Sequence, residues 1–213
     1  MRILIADDHE VVRRGVRALL DGHPGWQICA EAVEGREAVE KAARLQPNVV
    51  ILDIGMPGLN GLEAARQIRD ASPLSAVLIL TLHESEQVIR DVLAAGARGY
   101  VLKSDAGRDL VNAVDALSRH KTFFTSRVGE MVVQGYLSAG QPGEQGEHSV
   151  LTHREREVTQ LLAEGKGNKE VADILGISVR TAETHRTNIM RKLDCHSVSD
   201  LVRYAIRNSL IVP

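Results

Sequence analysis

Asp53 closes the run Val49-Val50-Ile51-Leu52, four large apolar residues followed at once by a carboxylate. An apolar run of that length reads as a strand buried on both faces, and an acid at its end is costly unless a partner meets it. Asp7 and Asp8 follow the run RILIA at 2–6, Thr81 closes AVLILT at 76–81, and Lys103 follows GYVL at 99–102. Three carboxylates brought to one place repel, and a hard divalent cation with oxygen ligands relieves them, Mg2+ being the natural ion. Adding a hydroxyl and an ammonium to the same rim gives a set suited to phosphoryl transfer, where positioning and charge neutralisation carry most of the catalysis. Each residue alone is an ordinary cap, turn residue or surface charge, and Asp8 in particular could cap the helix that follows. Five compatible types at successive strand ends make the argument.

A second set lies near the C-terminus. On a wheel of about 100° per residue, Arg180, Glu183, Thr184, Thr187 and Arg191 share one face of the segment 178–193, and Ala182, His185, Ile189 and Leu193 fall opposite. Four basic residues oppose one acid within 178–192. A short helix at 168–175, a tight turn at Gly176-Ile177-Ser178 and this longer helix form a helix-turn-helix, whose second member fits the major groove of double-stranded DNA. His185, facing inward, reads as a packed, hydrogen-bonded core histidine.

The elements that must position the first set alternate. Strand-like runs at 2–6, 27–32, 48–52, 76–81 and 99–102 are separated by amphipathic segments near 10–21, 35–45, 61–71, 85–95 and 107–119. That order predicts a doubly wound α/β domain, a five-stranded parallel sheet covered by helices on both faces. Such sheets place their chemistry outside the carboxyl ends of the strands. Residues 138–147, SAGQPGEQGE, are rich in Gly and Pro and too poor in apolar residues to order themselves. The expected organisation is therefore a first domain at 1–122, a linker at 123–147 with a short helix within 126–137, and an all-α domain of four short helices at 148–213. Helices are expected near 153–164, 168–175, 179–193 and 198–208, the first opened by a capping box between Thr152 and Glu155. Val198, Leu201, Val202 and Ala205 are expected to cover the core of that bundle and extend to a dimer contact.

Composition bounds the rest. With 213 residues, 44% of them hydrophobic, the chain can bury two cores without disulfides or a structural metal. Cys29 and Cys195 lack metal-ligand spacing and fit a reducing compartment. No apolar run approaches the roughly 20 residues of a membrane span, and no apolar stretch precedes the first acids, so a cytoplasmic protein is expected. The net charge is −2, but residues 148–213 carry 10 Lys/Arg against 8 Asp/Glu; so small an excess matters only through where it sits.

The combination Asp7-Asp8, Asp53 followed by Met56-Pro57 and Gly61, Thr81, and Lys103 preceded by Tyr100 resembles the receiver domain of two-component response regulators. The resemblance implies that Asp53 is the carboxylate phosphorylated by a sensor histidine kinase. It further implies that Asp8, Asp53 and the Gly55 carbonyl ligate Mg2+ directly, with Asp7 acting through water. Lys103 would pair with the acyl phosphate and Thr81 would donate to a phosphoryl oxygen, vacating space into which Tyr100 rotates. Ser104 stands where many receivers have a proline.

The string LTHREREVTQLLAEGKGNKEVADILGISVRTAETHRTNIMRKL is similar to a LuxR-type DNA-binding domain, and the pairing is identified as the NarL/FixJ subfamily of response regulators. This implies Glu183, Thr184 and Thr187 as readers of base edges. Lys166, Asn168, Lys169, Thr181 and Arg186 become candidate phosphate contacts, with Arg180 in either role and Arg191 on the same face. Glu183 departs from the basic residue some members carry there, which implies an altered operator preference. The expected function is a phosphorylation-controlled transcription factor, a homodimer when phosphorylated, acting on inverted repeats with RNA polymerase as a further partner. In the unphosphorylated chain the receiver is expected to occlude the recognition helix or the dimer face.

Two other readings compete. An aspartyl-phosphate hydrolase would usually carry a second Asp two residues after the nucleophile as general acid, and that position is Gly55. A ligand-sensing regulator would need an apolar pocket, which an aromatic content of 3% supports poorly. The chain is therefore expected to accept and slowly lose a phosphoryl group without turning over a separate substrate.

Overall fold

The computed structural model describes residues 1–125, 128–129 and 150–211. The chain divides into two compact units, Met1–Ser138 and Ala139–Pro213.

The first unit alternates β1 (Arg2–Ala6), α1 (Glu10–Leu20), β2 (Gln27–Ala32), α2 (Gly35–Leu45), β3 (Val49–Leu52), α3 (Gly61–Ala71), β4 (Ala76–Thr81), α4 (Glu86–Ala94), β5 (Gly99–Leu102) and α5 (Ala106–Ser118), with a short 3-10 turn at Lys103–Asp105. All pairings are parallel, and the strand order is β2-β1-β3-β4-β5. The reason is legible in the residues: every side chain of β3 and β4 is buried, as a central parallel strand with helices on both faces requires. Alternate residues feed two cores, one holding Leu4, Val50, Leu52 and Ile79, the other Ile3, Ile5, Ile51 and Leu78. Burying an aliphatic side chain of this size contributes roughly 1.5–3 kcal/mol.

The order reverses between β1 and β3, whose chains leave toward opposite neighbours. That switch point opens a crevice beyond the carboxyl ends of the two strands, and Asp7, Asp8 and Asp53 sit there. Gly61 opens α3 against it: a Cβ at Gly61 would lie 1.9 Å from the Asp53 carbonyl oxygen, so only glycine lets the helix start so close. The chain after α5 stays with the sheet further than the sequence suggested. Tyr100 donates its backbone N–H to Phe123 O at 3.0 Å, and Phe123 and Phe124 pack against the two cores. Residues 128 and 129 are helical; the rest of the expected linker and short helix, at 126–127 and 130–147, lies outside the described residues.

The second unit is helical throughout: α6 (His153–Ala163), α7 (Asn168–Leu175), α8 (Val179–Lys192) and α9 (Val198–Arg207). The capping box forms, Thr152 accepting from Glu155 N while Glu155 accepts from Thr152 N at 2.8 Å. Gly176 ends α7 in the left-handed region at φ 63° and Ser178 caps α8, which sets the tight turn between them. The core comprises Leu151, Val158, Leu161, Val171, Ile189 and Leu201 with their neighbours. On α9 the expected apolar face splits in two: Leu201 and Ala205 are buried, but Val198 and Ile206 are exposed and Val202 half-buried. Spacing of four residues places Val198, Val202 and Ile206 on an outward stripe beside the inward one, so Val198 does not cover the core. Among the described residues no helix is long and apolar enough to cross a membrane.

Candidate functional site

The strand ends bring Asp7, Asp8, Asp53 and Lys103 of the first set together. Lys103 Nζ lies 2.8 Å from Asp53 Oδ2 and 2.8 Å from Asp7 Oδ2, with all three side chains at most 10% exposed. The contact with Asp7 is a buried ion pair, and Lys103 is the one partner that Asp7 Oδ2 has among the described residues. Asp8 is exposed, its Oδ1 lying 2.8 Å from His9 Nδ1. It does not cap α1. His9 occupies the cap position, and its backbone N–H donates to Asp7 Oδ1 at 2.9 Å. Arg13 reaches back from α1 to donate to Asp7 O at 2.8 Å, pinning the backbone of the acid pair.

Burial raises the Asp53 carboxyl above its ordinary range; pairing with Lys103 and the Gly55 N–H pull it down and the Asp7 charge pushes it up, for a net rise. Burial alone would lower the Lys103 ammonium, but Asp53 and Asp7 outweigh it and hold it up. One ammonium thus stands against two buried carboxylates. Asp7, Asp8, His9 and Asp53 offer ligand atoms all within 4.8 Å of one another. Three carboxylates with ligand atoms this close, two of them buried, suit a hard divalent cation, so the residues fit Mg2+. Gly55 contributes its amide to Asp53 in this arrangement.

Thr81 and Tyr100 are joined through an unexpected residue. Thr81 is fully buried and its Oγ1 accepts the His83 backbone N–H at 3.2 Å. Tyr100, 1% exposed, donates its hydroxyl to the carbonyl oxygen of the same His83. Burial, together with the charge of Glu84, pushes the Tyr100 phenol up to about 12. The Tyr100 ring is already buried, and His83 in the loop after β4 carries a main-chain link from the Thr81 hydroxyl to the Tyr100 hydroxyl.

The second set lies on α7 and α8. Arg180, Thr181, Glu183, Thr184, Thr187 and Arg191 are exposed, and Ala182 and Ile189 are buried on the opposite face. Lys166 and Lys169 are exposed around the start of α7, and Asn168 Oδ1 accepts from Arg186 Nη1 at 3.4 Å, joining two candidate phosphate contacts across the helix pair. His185 is half-buried but makes no hydrogen bond among the described residues, unlike the hydrogen-bonded core histidine that the sequence suggested. Lys192 turns to another element: its Nζ meets Glu155 Oε2 at 2.7 Å, locking α8 to the start of α6.

Sequence reasoning missed His9, His83 and the Glu155–Lys192 pair. His9 adjoins the two acids and could have been listed with them on type alone. His83 acts through its backbone, which no residue type announces.

Comparison with known proteins bears on both sets. The pattern of the response regulator receiver domain matches residues 3–115, and that of the luxR family of bacterial regulatory proteins matches residues 149–205. The oxygen regulatory protein NreC of Staphylococcus epidermidis is 37% identical over 216 residues, covering 99% of each chain, and NreC of Staphylococcus carnosus is 37% identical over 215 residues with the same coverage. Among solved structures, the RcsB response regulator of Salmonella typhimurium aligns with a TM-score of 0.65 at 26% identity over 98% of each chain. An RcsB–DNA complex aligns with a TM-score of 0.60 at 26% identity over 98% of each chain.

Proposed function

The chain belongs to the two-component response regulators, a transcription regulator joining a receiver domain to a LuxR-type DNA-binding domain, and from that premise we propose that Asp53 accepts a phosphoryl group from a sensor histidine kinase and thereby controls operator binding. The observation that carries this is the triad in which Lys103 holds Asp7 and Asp53 together at 2.8 Å each, beneath a third acid. In the transfer, the N–P bond of a phosphohistidine breaks, an Asp53 oxygen bonds to phosphorus, and the kinase imidazole keeps the electron pair. Mg2+, held by Asp7, Asp8 and Asp53 with the Gly55 carbonyl, would neutralise charge on the phosphoryl oxygens during this displacement. Lys103 then exchanges the Asp53 carboxylate for the new phosphoryl oxygens, and Thr81, whose proton is uncommitted while its oxygen accepts from His83, donates to one of them.

Phosphorylation adds about −1.5 to −2 charges and three acceptor oxygens. Drawing Thr81 toward them tugs the His83 N–H, and the His83 carbonyl holds the Tyr100 hydroxyl. The surface formed by α4, β5 and α5 then takes one of two shapes, and the phosphorylated shape favours a two-fold dimer that reads inverted repeats, with the outward stripe Val198, Val202 and Ile206 as a second contact between copies. A swing from 1:99 to 99:1 needs about 5.5 kcal/mol of differential stability. The acyl phosphate is lost slowly to water and no separate substrate is turned over. Gly55, without a side chain, offers no general acid for a phosphoesterase.

Treating the full chain with a small-molecule phosphodonor and Mg2+ tests this. Mass spectrometry should find one added phosphoryl group on the wild type and none on Asp53→Asn, and only the wild type should gain operator affinity. An Asp53→Asn chain that still tightens its grip on DNA would overturn the proposal, and phosphate release from small esters at turnover would favour the hydrolase reading instead.

A further inference from the structure

The reading face of α8 carries information in the direction of its hydroxyls. Thr184 Oγ1 donates to Arg180 O at 2.8 Å and Thr187 Oγ1 donates to Glu183 O at 3.0 Å. A hydroxyl has one proton; spent on the carbonyl one turn back, it leaves lone pairs alone to face outward. Glu183, exposed on the same face, carries a carboxylate, which accepts and does not donate. Donors return only at the ends of the face, with Arg180 in the first turn and Arg191, whose Nη2 is shared with Asn188 Oδ1 at 3.3 Å, in the last.

We infer that the middle of this face, Glu183, Thr184 and Thr187, selects operator bases by their exocyclic amino groups. The inference rests on the reading that α8 enters the major groove. There adenine offers N6–H and cytosine N4–H as donors, and guanine and thymine offer only acceptors toward an acceptor surface. Since every base pair has one amino and one keto side in that groove, the selection is of strand orientation: the amino-bearing base must be on the strand that α8 faces. Glu183 and Thr187 stand about 6 Å apart along the helix axis at about 1.5 Å per residue, so the selected bases span roughly two base-pair steps. Guanine, the usual target of a basic side chain through O6 and N7, is rejected there because its edge would place lone pair against lone pair.

The test uses the full chain with Mg2+ and beryllofluoride. Duplexes bound from a random pool define the half-site, and single functional groups are then deleted from it. Replacing adenine by purine, or cytosine by its 4-deamino analogue, should weaken wild-type binding about tenfold at the central positions. Replacing purines by their 7-deaza forms there should change nothing. Each amino-group loss should vanish against one variant, Glu183→Ala, Thr184→Val or Thr187→Val, with melting temperature reporting that the fold survives. Sensitivity to 7-deaza but not to amino deletion, or losses that persist in all three variants, would overturn the inference while leaving DNA binding intact. A wild type that enriches no duplex would overturn the groove-reading premise and the inference with it.

Discussion

Replacing Lys103 with methionine should make the acid pocket bind Mg2+ more tightly. In the wild type the ammonium stands 2.8 Å from both Asp7 and Asp53, and solvent screens it little because the three side chains are at most 10% exposed. The two carboxylates present oxygens within 4.8 Å of each other. Two unit charges at that separation, with an effective dielectric near 20, repel by about 3 kcal/mol. Lys103 offsets that repulsion in the metal-free chain; in Lys103→Met it stands unrelieved until a divalent ion arrives. The variant should therefore be less stable in EDTA by up to about 3 kcal/mol, and Mg2+ should restore most of the deficit, equivalent to a Kd lower by up to about a hundredfold. Urea unfolding at pH 8, across a Mg2+ series and followed by the fluorescence of Trp26, the chain's one tryptophan, reads this directly in the receiver unit. If Mg2+ stabilises Lys103→Met no more than it stabilises the wild type, the ammonium does not stand in for a cation and the pocket reasoning fails.

Three further outcomes are expected. Gly61→Ala, whose Cβ would sit 1.9 Å from the Asp53 carbonyl, should destabilise the receiver by about 1–3 kcal/mol in urea unfolding and slow phosphoryl acceptance at Asp53 in the mass-spectrometric assay. Tyr100→Phe removes the donor to His83 O and should cost about 1 kcal/mol while leaving Mg2+ binding unchanged and blunting the operator response to phosphodonor. Because burial raises the Tyr100 phenol to about 12 from 10.0, its contribution is fully present below pH about 10 and lost as pH rises toward 12; an alkaline unfolding series should show a steeper fall in the wild type than in Tyr100→Phe. Glu155 is opposed by burial, but Lys192 and the Thr152 N–H and hydroxyl outweigh it and hold its carboxyl below the usual 4.5. Its contribution is therefore present above that pH and lost as pH falls through and below it, so Glu155→Gln should cost the helical unit about 2 kcal/mol at pH 7 and show a shallower acid limb by far-UV circular dichroism.

The sheet was legible because its strands end as abruptly in composition as in space. AVLILT and RILIA fill β4 and β1 to the residue, and the acids and the ammonium that follow β1, β3 and β5 are the groups that meet at the rim. The helical unit was equally plain at its caps, where Thr152, Gly176 and Ser178 each have a local backbone reason to be what they are. Legibility failed wherever a contact depends on direction rather than on residue type. Spacing could not say that α9 carries two apolar stripes, since Val198 and Leu201 are a helical step apart whichever one faces inward. Nor could it say that the Thr184 and Thr187 protons turn back onto the helix, because a threonine in any helix has the carbonyl four residues earlier within reach. The same holds at the pocket. Thr81 and Tyr100 were identifiable by type, yet what joins them is the N–H and C=O of His83, groups that every non-proline residue possesses. A link made of main chain tolerates almost any side chain at its middle position, so the step that joins Thr81 to Tyr100 is the one on which sequence leaves the least trace.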